Sequence, residues 1–275
     1  MSTSSPASSS SSSSFRRVVA VVTEGWRASL LAEAEYRSNF VFAAISSLLT
    51  LAGSIFSIWL FYRAGAGFPG WNLADVTVVL GLFSICTGYV ATLLSPNLSR
   101  IVTHVTEGTL EFVLLKPIDS QLQVSLRLLS PWGVPDIVFG VILVVVGLVQ
   151  ADKLAPAALL GLVPMLSAAV LLYALWFTLA STSIWFTKIY NATEVLRGLL
   201  DAGRYPMAAY PAAYRFVFTF VVPVAFVTTV PAEVLLQRTS SLSAIGGSVV
   251  VAVLALVVSR LVWKAALRSY TGAST

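Results

Sequence analysis

Ser38–Tyr62 reads SNFVFAAISSLLTLAGSIFSIWLFY, twenty-five residues without a charge, flanked by Arg37 and Arg63. As a helix it is ample for the ~30 Å hydrocarbon core of a bilayer. Five further stretches are uncharged or nearly so: Val76–Ser99, Leu128–Ala151, Leu154–Thr187, Phe216–Ala232 and Thr239–Ser259. The 17 Lys and Arg residues divide unevenly among the segments between them. Alternate segments hold Arg16, Arg17, Arg27 and Arg37, then Arg100, Lys116 and Arg127, then Lys188, Arg197, Arg204 and Arg215, then Arg260, Lys264 and Arg268. The other segments hold only Arg63, Lys153 and Arg238. Lys/Arg excess in short loops marks the cytoplasmic side of a membrane protein. The pattern predicts an all-α integral membrane protein with six transmembrane helices and both termini cytoplasmic.

Composition agrees. Of 275 residues 57% are hydrophobic and 11% charged, and mean hydropathy is +0.87. Soluble domains carry about 25% charged residues. Six spans of about 20 residues leave no room for a separate soluble domain. We therefore expect one membrane domain over 15–275, preceded by a disordered Ser-rich tail over 1–14. The pI of about 9.5 reflects the positive-inside bias, so no nucleic-acid partner is expected. Cys86 is the single cysteine, which excludes an internal disulfide.

Phe15, Val18, Val19, Val22, Trp26 and Leu30 recur at helical spacing, with Arg16, Glu24 and Arg27 off that face. This predicts an N-terminal amphipathic helix lying in the headgroup plane. Asp136 sits near Pro131 and Pro135 at the expected start of the third span. An acid there suits a helix N-terminus, and a sharper reading makes Asp136 a polar gate at the inner mouth. Glu194–Arg204 reads as a polar cytoplasmic helix, followed by a Pro/Tyr-rich entry into a fifth span with Pro223 at its middle.

No enzyme site is legible. The chain has one His, His104, and lacks HExxH, CxxC, GxSxG and GxxxxGK[ST]; it has no P-loop for ATP. Ionisable residues at membrane depth mark proton or ion pathways, and the apolar stretches nearly lack them. His104 reads as a solvated residue on an amphipathic helix.

Leu98–Arg127 joins two spans on the side expected to be cytoplasmic, yet carries Leu110, Phe112, Val113, Leu114 and Leu115 between Glu107 and Lys116. Such a cluster either folds back on its own helices and the headgroups or docks into a soluble partner.

At this point the sequence resembles the ABC-2-type transporter permeases, in their compact six-helix bacterial form. The resemblance rests on Tyr36-Arg37, on Glu107-Gly108-Thr109-Leu110 through Leu114-Leu115-Lys116-Pro117, and on Tyr205-Pro206 and Tyr210-Pro211. It continues through Pro223-Val224-Ala225-Phe226, Pro231-Ala232-Glu233 and the tail from Trp263-Lys264 to Ser274. It implies a permease subunit of an ATP-binding cassette exporter in the bacterial plasma (inner) membrane. That subunit would pair with a second permease copy, identical or homologous, and with separate ATPase subunits. It would hold no cofactor itself; ATP-Mg would bind in the partner ATPase. The first amphipathic helix would be the connecting helix, and Pro96–Lys116 the coupling element. Glu107, Gly108, Leu110, Glu111, Phe112 and Lys116 would dock the ATPase, with Asp136 as the possible inner gate. The solute moved would be apolar or amphiphilic. The alternatives are a membrane-embedded binding or scaffold protein without transport and, disfavoured by the missing polar cluster, an intramembrane enzyme.

Overall fold

The computed structural model describes residues 10–35, 37–115, 119–186, 192–239 and 241–270, and these contain no strand. Helix α1 (Ser10–Ala34) precedes α2 (Arg37–Arg63), the first span. The second span comprises α3 (Leu73–Tyr89), a π-helical turn at Val90–Leu94 and α4 (Ser95–Thr106). Short helices α5 (Leu110–Leu114) and α6 (Ser120–Leu126) lead to α7 (Val134–Gln150) and α8 (Leu162–Ser181), the third and fourth spans. Then come α9 (Ala192–Asp201), α10 (Ala212–Phe216), α11 (Thr229–Leu235) and the last span, α12 (Ser241–Ser269). Helix α1 begins within the Ser-rich tail, at Ser10. An established helix extends at one hydrogen bond per residue fixed, and Ser is only mildly unfavourable there. The remainder of that tail, 1–9, lies outside the described residues.

Among the described residues five helices are long and apolar enough to cross a membrane: Ser38–Arg63, Leu73–Thr106, Pro131–Gln150, Ala158–Ile184 and Leu242–Ser269. A sixth passes only as a pair, Ala212–Val221 with Val224–Leu235, bent by 74°. The bend follows from Pro223, which cannot continue a helical ladder and holds Val222 in extended backbone (φ −122°, ψ 94°).

The second and third spans form the tightest pair, and glycine is the reason. A Cβ on Gly133 would lie 2.3 Å from the Gly88 carbonyl oxygen, and one on Gly140 2.7 Å from that of Gly81. Gly147 meets Ala74 and Val78 just as closely. Backbones approach this way in membranes because dispersion contacts, rather than water exclusion, hold helices together. At the end opposite the basic segments, Asn72 and Asp75 form a capping box on α3. Arg238 caps this corner, 3.4 Å from Asp75 and with its guanidinium 4.5 Å over the Trp71 ring.

The expected cytoplasmic placement requires correction for Arg204–Arg215. Arg197 donates to Ser95 Oγ near the basic end of the second span. Arg204 stacks over Phe83 at 5.0 Å, well up α3, and Tyr205 lies 5.8 Å from Phe68 in the loop joining α2 and α3. Helix α9 and the turn after it thus climb along the second span towards the opposite end. Residues 187–191 lie outside the described residues. The bent pair starts beside Tyr210, which shares a cavity with Ser57, Ile58 and Phe61 of α2. Its break is near mid-depth, where the Val227 carbonyl faces Cys86 Sγ at 3.9 Å. It finishes at Arg238 beside Asp75. Both ends lie in the same half, so the contacts make it a re-entrant hairpin, with α9 as the climbing element before it. The arginines misled because Arg204 rests on an aromatic face instead of in water.

Candidate coupling site

At the basic end the polypeptide between the second and third spans folds into a compact platform. Helix α4 ends at Thr106 with Glu107 as its C-cap, and Gly108 (φ 69°) turns the chain with the left-handed backbone glycine favours. Helix α5 follows immediately. Its residues divide by face: Leu110 is fully buried and Val113 nearly so, whereas Phe112 is 71% and Leu115 79% exposed. Glu107 is exposed and Glu111 half-buried. Leu110, expected to dock a partner, is instead an internal anchor. A run reading LEFVLL must bury one stripe to hold so short a helix in place. Lys116 lies outside the described residues. The exposed apolar tip is therefore Phe112, Leu114 and Leu115.

Buried polar bonds hold this platform to the spans. Asn97, 2% exposed, donates to the carbonyls of Leu93 and Leu128 and accepts from the Leu128 N–H. His104 is not simply solvated: its Nδ1 lies 2.7 Å from Thr109 Oγ1 across the Gly108 turn. Asp119 caps α6 and forms an ion pair with Arg260 of α12. The bonded guanidinium holds the Asp119 carboxyl below its usual range, with burial opposing. Gln121 bridges Arg260 and the Tyr173 hydroxyl, and Ser125 Oγ lies 2.9 Å from the same hydroxyl. Trp263, 1% exposed, donates to Ser120 Oγ at 3.1 Å. A displacement of α6 must therefore be felt by α8 and α12.

Helix α1 braces the same platform. Trp26 donates to the Leu126 carbonyl at 2.8 Å, and a Cβ on Gly25 would lie 2.5 Å from the Arg127 carbonyl oxygen. Val22 and Trp26 are half-buried while Glu24 and Arg27 are exposed; Leu30 of the expected apolar face is exposed as well, and the side chains of Phe15, Val18 and Val19 lie outside the described ones.

Asp136 sits apart from this platform. It lies in the first turn of α7, as expected, but the chain reaches that turn inside the bundle. Leu128 is held at Asn97, Ser130 bonds the Thr92 carbonyl at 3.0 Å, and Ser84 Oγ donates to the Asp136 carbonyl at 2.8 Å. Ser84 precedes Asn97 by 13 residues, or ~20 Å of helix. The Asp136 carboxyl accepts from Ser47 of α2 at this depth, joining the first three spans. It is nearer mid-bundle than the inner mouth where the sequence places it.

A family described as ABC-2 family transporter protein matches residues 48–274. The chain belongs to the ABC-2 transporter family. No curated protein and no solved structure matches it. This ABC-2 chain is thus a multi-pass membrane component of a transporter, and the platform includes the segment that the resemblance implies as the coupling element. Asn97, Gln121 and Arg260, which hold that platform, carry no motif. Only their polarity beside apolar runs marks them in sequence. Among the described residues no group of His, Cys, Asp and Glu is placed to hold a metal ion.

Proposed function

We propose that this ABC-2 chain is the permease subunit of an exporter in the bacterial plasma (inner) membrane, driven by ATP hydrolysis in separate cassette subunits. The observation that carries this reading is the platform at the basic end. It presents Phe112, Leu114 and Leu115 to solvent while its base is bonded to α1, α8 and α12. An apolar tip left in water costs ~25 cal/mol per Å², which favours a bound partner. Closure of the ATPases would push on this tip, and the bonded base would pass the displacement to the spans. The chain's lack of a P-loop fits hydrolysis elsewhere.

A second permease copy is supported by α2. Its exposed face carries Ser46, Thr50, Gly53 and Ser57 among large apolar residues, and nothing lies within 4 Å of a Cβ placed on Gly53. Hydroxyls and glycine on a span favour another helix as neighbour. For the solute, an apolar or amphiphilic molecule suits the ~410 Å³ cavity lined by Ser57, Ile58, Phe61, Phe68, Tyr205 and Tyr210.

Co-purification in mild detergent, followed by export from proteoliposomes of the complex, tests the reading. An associated ATPase whose P-loop Lys→Ala variant stops export is the expected result. A chain that purifies without any ATPase and moves nothing would make it a binding or scaffold protein.

A further inference from the structure

A lateral groove of about 740 Å³ opens between α6, α8 and α12. Its wall is apolar, formed by Leu166, Ala169, Val170, Leu256 and Val257. Leu166 is 68% and Val257 50% exposed, so the wall faces outward from the bundle. Its end towards the platform is polar, formed by Asp119, Gln121, Ser125, Tyr173 and Arg260. From Leu166 to Tyr173 is seven residues of helix, so the apolar part extends ~10 Å from the polar end.

We propose that this groove binds a zwitterionic phospholipid of the leaflet at the basic end. A polar head beside an apolar wall, at the end of the spans where α6 lies, has the amphiphilic order of a membrane lipid. The charges select the headgroup. Arg260 and Asp119 make a pair of zero net charge, with side chains 39% and 36% exposed. A purely anionic headgroup attracted to Arg260 also meets Asp119, and a cationic one attracted to Asp119 also meets Arg260. A headgroup carrying both signs satisfies both: its phosphate beside the guanidinium, its ammonium beside the carboxylate. Gln121, Ser125 and Tyr173 carry no charge and are bonded to one another, so they shape the pocket, while Arg260 and Asp119, paired with each other and with Gln121, supply its charges. The acyl chain would lie along Val170 and Val257. Because Asp119 caps α6 and Gln121 lies within it, occupancy would also hold the base of the platform.

Native mass spectrometry of the detergent-purified protein, titrated separately with phosphatidylethanolamine and phosphatidylglycerol, tests this. The ethanolamine lipid should bind at least about fivefold more tightly. Arg260→Gln leaves the Asp119 carboxylate alone, so it should weaken both lipids while the ethanolamine lipid stays preferred, and Asp119→Asn should shift the preference towards the glycerol lipid. Val257→Trp leaves the ion pair intact and fills the wall; it should lower retention severalfold at unchanged melting temperature. Equal binding of the two lipids, or undiminished retention in Val257→Trp, would overturn the proposal. So would disulfide formation between two copies through Val257→Cys in a Cys86→Ala background, which would put a second copy in the groove. Displacement of the lipid by soluble glycerophosphoethanolamine would equally count against a site that needs the acyl chain.

Discussion

Trp26 of α1 donates its indole N–H to the carbonyl oxygen of Leu126, the last residue of α6, at 2.8 Å. This bond ties a helix that precedes all the spans to the joint where the platform enters the third. Gly25 beside it admits the contact, because a Cβ there would press on the Arg127 carbonyl at 2.5 Å. The amphipathic α1 is thereby a brace on the platform.

Trp26→Phe keeps the ring and removes one hydrogen bond, a loss of about 0.5–1.5 kcal/mol. The expected result is a protein that still inserts, with substrate-stimulated hydrolysis in the full complex reduced about two- to tenfold. Gly25→Val should be worse, since backbone must move. Stimulated hydrolysis unchanged in both variants would remove α1 from the coupling path.

Leu110 and Phe112 separate stability from docking. Leu110→Ala empties a fully buried position and should cost about 2–5 kcal/mol. It should be read as a lower melting temperature of the isolated permease. Phe112→Asp lies on the exposed tip and should leave that temperature within a degree or two while releasing the ATPase on purification. A Phe112→Asp protein that retains its full ATPase complement would show that the tip is not the contact.

The spans were legible in the sequence because charge is scarce and apolar runs approach membrane thickness. The second and third spans share a glycine spacing of seven, at Gly81 and Gly88 and at Gly133, Gly140 and Gly147. That spacing becomes a packing statement only once the two helices are known to be neighbours. The climb of α9 was hidden for a different reason. Counting Arg197, Arg204 and Arg215 as loop charges assumes that each is hydrated, whereas Arg204 rests on Phe83. Within the platform, Leu110 and Phe112 are equally apolar by composition. Which one faces inward is decided by the Gly108 turn and the packing of α4 and α6.

The glycine seam makes its own prediction. Gly140→Ala would place a methyl 2.7 Å from the Gly81 carbonyl and 2.8 Å from the Ile85 backbone N, neither of which can rotate away. Overpacking of this kind costs about 1–3 kcal/mol, so the melting temperature should fall and accumulation in the membrane with it. Gly53→Ala, with open space around it in this chain, is the matched control. Equal stability of the two variants would mean that the second and third spans do not pack as described.

The re-entrant hairpin is separable from a fifth span by labelling. In a Cys86→Ala background, Ala213→Cys sits on the exposed start of the bent pair. An impermeant thiol reagent added to intact cells should reach it. Labelling only after the cells are opened would restore the cytoplasmic assignment of that segment and make the pair a true span.

Asp136 decides between two energy sources. A carboxyl about 20 Å above Asn97 is where a proton relay needs one, yet its bonds are structural: its side chain accepts from Ser47 and its carbonyl from Ser84. Asp136→Asn removes the charge and keeps an acceptor for the Ser47 hydroxyl. If ATP hydrolysis drives transport and Asp136 joins the spans, this variant should export at close to the parental rate in proteoliposomes of the full complex. Asp136→Ala should be slower severalfold, because it leaves the Ser47 hydroxyl without its partner inside the bundle. Collapsing the pH gradient should affect neither. Export that is abolished by Asp136→Asn and dissipated by an uncoupler, while surviving a P-loop Lys→Ala change in the ATPase, would instead make the carboxyl a proton carrier and the protein a secondary transporter.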